Sequence, residues 1–384
     1  MAACGLVLMT GTAAAGLITL DVNPNGTTPY RTLGAAVATA NADLNPINLY
    51  ILRLAAGTYT NDYANVRRTM QIVGAGAGST ILKSTQALPN QKGIIHTTAS
   101  LLVKGVTLTG AFISNNLGGN GAGIREQMTG AGILRVEDTV FDGNQTGILT
   151  AGSKHQANVV IIGSQFRNNG NASKNSGQEH ALYVGDAASL TVLDSVFCGE
   201  VGAGHNIKSR AARTTISGVD SYEGVAGGGC TGAGNASRGI DLPNGGVALL
   251  NDVDLFQGPG SPNWSLMSYG VEGIKHPVNS LTMRDVDMVS TRGGVAIQYA
   301  GGAACTYDSA SSFVGVPTPS VCSLTGTPLG DGPGTQTLAS SMIAPQAVPE
   351  PGTLALLLAA LVGFSVYNTP IGRRGSRSAS GENA

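Results

Sequence analysis

Charge and aromaticity are scarce in this chain. Of 384 residues only 12% are charged and 5% aromatic, with a single Trp, and 22 Lys plus Arg nearly balance 23 Asp plus Glu. The resulting net charge of −1 leaves no electrostatic footprint for nucleic acid or for an anionic membrane surface. None of the five Cys stands in a CxxC or Cys/His spacing, so no zinc site is indicated. The uncharged stretch Leu354 to Tyr367 falls short of the roughly 20 residues that span a bilayer. Few Lys and Glu beside 56 Gly argue against helices and for turns between short strands.

What is present is a repeat. Seven times the chain reads apolar-x-apolar-x-(Asp/Gly)-x-x-apolar, with Gly105, Asp138, Gly163, Asp194, Gly218, Asp252 and Asp285 at the fifth position. Leu101, Leu134, Val159, Leu190, Thr214, Ala248 and Leu281 open the copies. Val103, Val136, Ile161, Val192, Ile216, Leu250 and Met283 follow two residues on, and Leu108, Phe141, Phe166, Phe197, Ser221, Leu255 and Met288 close them. Thr214 and Ser221 alone break the apolar pattern. Alternation of period two marks a strand with one buried face. Recurrence every 24 to 34 residues is one coil of a solenoid whose stacked coils share a core. The predicted architecture is all-β, a single-stranded parallel β-helix over residues 17–300, with Phe141, Phe166 and Phe197 in one internal ladder. Leu33, Ala36, Val37 and Ala40 share a helical face within residues 32–42, which suits a short helix covering the open first coil. Residues 301–347 read as a terminal cap and linker.

Both ends carry address-like segments. Residues 1–16 are small and apolar and end in Ala13-Ala14-Ala15-Gly16, a leader-like signal, although the first basic residue is Arg31. Cys4 lies in that leader. The other four Cys allow three pairings. Spacing favours Cys198–Cys230 and Cys305–Cys322 over four buried thiols, because each pair closes a short stretch and an exported protein meets oxidising surroundings. At the far end, residues 348–384 place Val348-Pro349-Glu350-Pro351-Gly352-Thr353 before an apolar segment and then Arg373, Arg374 and Arg377. This tripartite tail resembles the PEP-CTERM sorting signal of Gram-negative bacteria. The resemblance implies export to the cell surface or extracellular matrix, transient membrane insertion of the tail, and exosortase and signal peptidase as processing partners. The opening coils, with Asn48 to Leu52, Gly57-Thr58-Tyr59, Met70 to Gly74 and Ser79 to Leu82, resemble pectin-lyase-like right-handed β-helices. That family hosts lyases, hydrolases, esterases, epimerases and phage spikes, so it implies handedness rather than chemistry.

Chemistry-bearing residues gather in four successive segments, at His180 to Val184, His205 to Arg210, Ile240 to Gly246 and Leu266 to Glu272. Placing Leu182, Ile207, Ile240 and Met267 inside predicts Tyr183, Lys208, Asp241 and Ser268 outside in one line. His180 and His205 fall at matching places, and Arg210, Asn244 and Glu272 lie close by. Such a face suits a polyanionic sugar chain, yet an outward Lys beside an Asp is equally a solvated surface pair, and the two His equally cap turns. The run from His180 to Glu272 resembles a group of uncharacterised bacterial right-handed β-helix proteins. More distantly, Lys208-Ser209 after a strand is similar to polysaccharide lyases of the chondroitinase-B and alginate-lyase kind. Two expectations of different class follow. One is a surface or matrix β-helix that binds extracellular polysaccharide through His180, Tyr183, Asp241, Asn244 and Glu272, without cofactor, metal or nucleic acid. The other is a lyase acting by β-elimination, with Lys208 or His205 as base and Arg210 as the second group, and with Ca²⁺ screening the uronate carboxylate.

Overall fold

The computed structural model describes residues 16–325, residues 27 and 154 excepted. The sorting tail, the linker beyond residue 325 and all of the leader but Gly16 lie outside the described residues. Within them the chain winds as a right-handed parallel β-helix. Successive coils add parallel strands to an 18-stranded sheet, which bends into two faces, and to a nine-stranded sheet on the third side. The first strand, Leu17–Val22, pairs with Leu49–Leu54.

The seven repeats stack in register at every apolar position. Leu101, Leu134, Val159, Leu190, Thr214, Ala248 and Leu281 are consecutive rungs of one ladder. Phe141, Phe166 and Phe197 are rungs of another; all three are fully buried, with ring centroids 4.7 and 4.5 Å apart and nearly parallel planes. The fifth position explains its own composition. All seven residues there adopt the left-handed conformation, from φ 46° at Asp138 to φ 64° at Gly105 and Gly218. Only Gly, and Asp or Asn among side-chain-bearing residues, visit that region readily. The pattern therefore records the corner at which each strand turns from one face to the next. The two polar exceptions are buried and satisfied. Thr214 Oγ1 lies 2.9 Å from Ser209 Oγ, and Ser221 Oγ accepts from Asn206 Nδ2 at 2.9 Å.

Helix Leu33–Ala42 covers the first coil with Leu33, Ala36, Val37 and Ala40 buried. Thr32 Oγ1 caps it by accepting the Ala35 N–H. The carboxylate of Asp62 takes the Leu33 and Gly34 N–H groups, favoured there by the helix dipole. Disulfides join Cys198 to Cys230 and Cys305 to Cys322. The first pins the loop before strand Arg238–Leu242 to the end of strand Ser189–Cys198. Among the described residues no helix is long and apolar enough to cross a membrane.

Candidate functional site

The nine-stranded sheet carries the residues of interest. Its strands are Ala64–Val66, Gly93–Thr97, Ala122–Glu126, Thr146–Leu149, Leu182–Val184, His205–Ser209, Arg238–Leu242, Ser265–Tyr269 and Val295–Tyr299. Ile95, Ile124, Ile148, Leu182, Ile207, Ile240, Met267 and Ile297 line its inner side. The residue after each faces away from the core. One outward row therefore runs Asn65, His96, Arg125, Leu149, Tyr183, Lys208, Asp241, Ser268 and Gln298. Sequence reasoning found the stretch from Tyr183 to Ser268. It missed Asn65, His96, Arg125, Leu149 and Gln298, although extending the same inner-partner alignment to the earlier and later coils places each of them.

At the centre of the row the side chains bond to one another. Asp241 Oδ2 lies 3.1 Å from Lys208 Nζ and 3.2 Å from His205 Nε2, and Asp241 also accepts from Ser268 Oγ. Glu272 reaches back across two coils to Lys208 Nζ at 3.0 Å and Arg210 Nη2 at 2.6 Å. Arg210 donates further to the Tyr183 hydroxyl at 2.9 Å and to Asn244 Oδ1. His180 stacks on His205 with centroids 5.0 Å apart, and its Nδ1 accepts the His205 backbone N–H at 2.9 Å. That contact fixes the His180 ring proton on Nε2. Burial, then the positive charges of its neighbours, holds the His180 pKa well below the usual imidazole range. Burial also lowers that of His205, against the raising pull of Asp241. The Asp241 carboxyl is held below the ordinary range despite its burial, because His205, Lys208 and Ser268 all favour its charged form.

This geometry corrects one expectation. Tyr183, Lys208, Asp241 and Ser268 do share a line directed away from the core, but the middle of that line is not open to solvent. The side chains of Lys208 and Asp241 are 11% and 2% exposed, and Ser268 is fully buried. The cover is local in space and remote in sequence. Glu272, Arg210 and Asn244 rise from the turns that follow three of the strands. Segment 270–276 is held over them by Glu272 N–H to Pro243 O, Lys275 N–H to Asn244 O and the His276 ring to Arg210 O. The expected site residues His180, Tyr183, His205, Lys208, Arg210, Asp241, Asn244 and Glu272 are thus brought together in one network. Glu272 is the most exposed of its charged members, at 45%.

The network's chemistry is restrained by its own completeness. Lys208 Nζ is enclosed by two carboxylates rather than presented to a substrate, and Arg210 is engaged by Glu272, Tyr183 and Asn244. His205 keeps one ring nitrogen, Nδ1, without a hydrogen-bond partner, but that atom is buried. A calcium ion does not fit these residues: Asp241 and Glu272 are already neutralised by cationic neighbours. Among the described residues no group of three or more His, Cys, Asp and Glu converges as a metal site.

The chain matches no protein-family model and no curated protein sequence. Its architecture does match solved structures. The crystal structure of pectate lyase Pel9A superposes with a TM-score of 0.52, covering 88% of each chain at 15% identity. The fold is the one a pectate lyase uses. ORF18 of Geobacillus virus E2 matches equally well, at a TM-score of 0.52 and 15% identity over 82% of this chain. The present chain spans 58% of that viral protein's length. At such identities the likeness is one of fold, a right-handed parallel β-helix.

Proposed function

We propose that the chain is an exported, surface- or matrix-associated β-helix protein that binds an acidic polysaccharide along the outward row of the nine-stranded sheet. The observation that carries this reading is the row itself. Outside its buried centre, Asn65, His96, Arg125, Tyr183 and Gln298 follow one line on one face of the solenoid and are at least partly open to solvent. A polymer with repeated hydroxyl and charged groups is the ligand whose periodicity suits such a line. Two disulfides, the leader-like residues 1–16 and the PEP-CTERM-like tail support export, with signal peptidase and an exosortase as transient partners. That a pectate lyase shares the fold is consistent with a glycan ligand.

A second reading, β-elimination at Lys208, His205 and Arg210, draws on the closeness of these three groups. It requires the Glu272 clamp to open, because both cations are engaged in the observed geometry. One experiment separates the two. The purified protein is offered a panel of uronate-containing and neutral polysaccharides, with retention measured by affinity electrophoresis and unsaturated ends by ultraviolet absorbance. Retention by acidic polymers without new absorbance is the expected result. New absorbance that disappears in Lys208→Ala would establish the lyase, and no retention by any polymer would remove the binding reading.

A further inference from the structure

Upstream of its saturated centre, the outward row carries a cation with no ion-pair partner among the described residues. Arg125 stands between His96 and Leu149 in register and is half-buried. Its guanidinium makes no hydrogen bond or ion pair among the described residues, and Nε is withdrawn from solvent without a partner. The other cations of the row's middle and far end are all engaged. Lys208 and Arg210 hold carboxylates, and Arg238 donates to Ser265 and Gln298.

Burial acts against the Arg125 charge, and no neighbour pairs with it among the described residues. His96 is one rung away with its Nε2 against Gln127, and burial lowers its pKa, with further lowering by Lys92, Arg125 and Arg67. The Glu126 carboxylate favours the Arg125 charge without forming an ion pair with it. The adjacent Glu126 points into the core and is fully buried; its carboxyl, raised by burial toward the neutral form, also accepts the Met128 N–H. The Tyr183 hydroxyl beyond Leu149 is taken by Arg210. A guanidinium has five donors and never loses its charge in a protein. Leaving it half-desolvated and unpaired carries a cost that an anion would offset.

We propose that Arg125, with His96 one rung away, is an oxyanion subsite that receives a carboxylate or sulfate group of the bound polymer. The proposal rests on the glycan-binding reading and narrows it, moving the point of charge recognition from Lys208 to the early coils. The planar fork of Arg pairs such groups through two parallel hydrogen bonds, which gives direction as well as attraction.

The test uses the full chain and isothermal calorimetry with four probes: an oligouronate, a sulfated oligosaccharide, a neutral oligosaccharide of the same length, and inorganic sulfate. Arg125→Gln should weaken the preferred anionic oligosaccharide about 10- to 100-fold, and the uronate and sulfated arms identify which group is read. Without ligand the variant should melt no lower than the parent, since it loses a half-buried charge that makes no hydrogen bond or ion pair among the described residues. If Arg125→Gln binds the anionic oligosaccharide as tightly as the parent, the subsite is refuted while the glycan reading stands. Should the variant melt well below the parent, Arg125 is a structural residue and the proposal fails. Sulfate binding that is lost in Arg125→Gln, with no oligosaccharide bound, would keep the oxyanion subsite and remove the polymer. No binding of any anion would overturn both.

Discussion

Replacing Gly218 by Ala tests whether the left-handed corner is what the repeat encodes. Gly218 has φ 64°, a conformation that costs a residue with a Cβ about 1–2 kcal/mol. The new Cβ would also lie 2.6 Å from Asp194 Oδ1, on the rung below, and 3.5 Å from the Asp194 backbone. Because Asp194 is exposed, its carboxylate can swing into solvent, which adds about 0.5 kcal/mol, the scale of an ordinary surface change. The expected loss is therefore about 1.5–2.5 kcal/mol, read from the guanidinium midpoint by far-ultraviolet circular dichroism. Asp194→Gly alone should stay within about 0.5 kcal/mol, since Gly accepts the same backbone. Combined with Gly218→Ala it should remove the steric part and leave the conformational part. Gly232→Ala is the control: nothing lies within 4 Å of a Cβ there, and its φ is not positive. Equal costs at Gly218 and Gly232 would refute the reasoning.

Other outcomes follow from the same structure. Phe166→Ala removes the middle ring of a buried triple stack and should cost about 3–5 kcal/mol, while Phe166→Asp should yield no folded protein; a soluble, cooperatively melting Asp variant would show that this ring is not in a closed core. Lys208→Met leaves Asp241 buried with one cation fewer and should cost about 3–5 kcal/mol, much of it recovered in the double variant with Asp241→Asn; full stability of the single variant would mean that the ion pair is solvated. His180 and His205 have folded pKa values below the unfolded value near 6.5, so below that pH the unfolded chain binds protons that the folded chain excludes. Their contribution to stability should therefore fall as pH drops from 6.5, by up to about 1.4 kcal/mol per unit per group. Glu200 and Glu223, raised by burial, act in the opposite sense. The His180 share is isolated by comparing the parent with His180→Gln between pH 7 and 5, and a pH-independent difference would refute it.

The fold could be read from the sequence because a parallel coil repeats its own geometry. Each strand alternates, each corner needs a left-handed residue, and each aromatic lies above its predecessor, so Phe141, Phe166 and Phe197 announced their own stack. The line through Tyr183, Lys208, Asp241 and Ser268 was legible for the same reason. Its burial was not, because the cover comes from Glu272 and Arg210, whose turns follow no period. A second departure sits at the sheet's other corner, where strict alternation fails. A Cβ on Gly123 would lie 2.8 Å from the Phe141 ring, and Asn206 bonds to Ser221 in the core. There Gly123 and Ile124, or Asn206 and Ile207, face inward as consecutive residues. Arg125 stands out only in the structure, because an unpaired charge is visible only once its surroundings are placed.

The stacking of strands also turns this protein into a ruler. Neighbouring parallel strands sit about 4.8 Å apart whatever the length of chain between them. Coils of 24 residues and coils of 34 thus advance the outward row by the same step. From Arg125 to Gln298 there are six such steps, about 29 Å. The longer loops between strands can lengthen, shorten or change composition without altering where the graduations fall. An insertion within a strand would turn that strand's own mark to the opposite face. Variation in such a chain is therefore cheap in the loops that join the strands and costly within the strands and at their left-handed corners, and a repetitive ligand would meet the same spacing however far those loops had diverged.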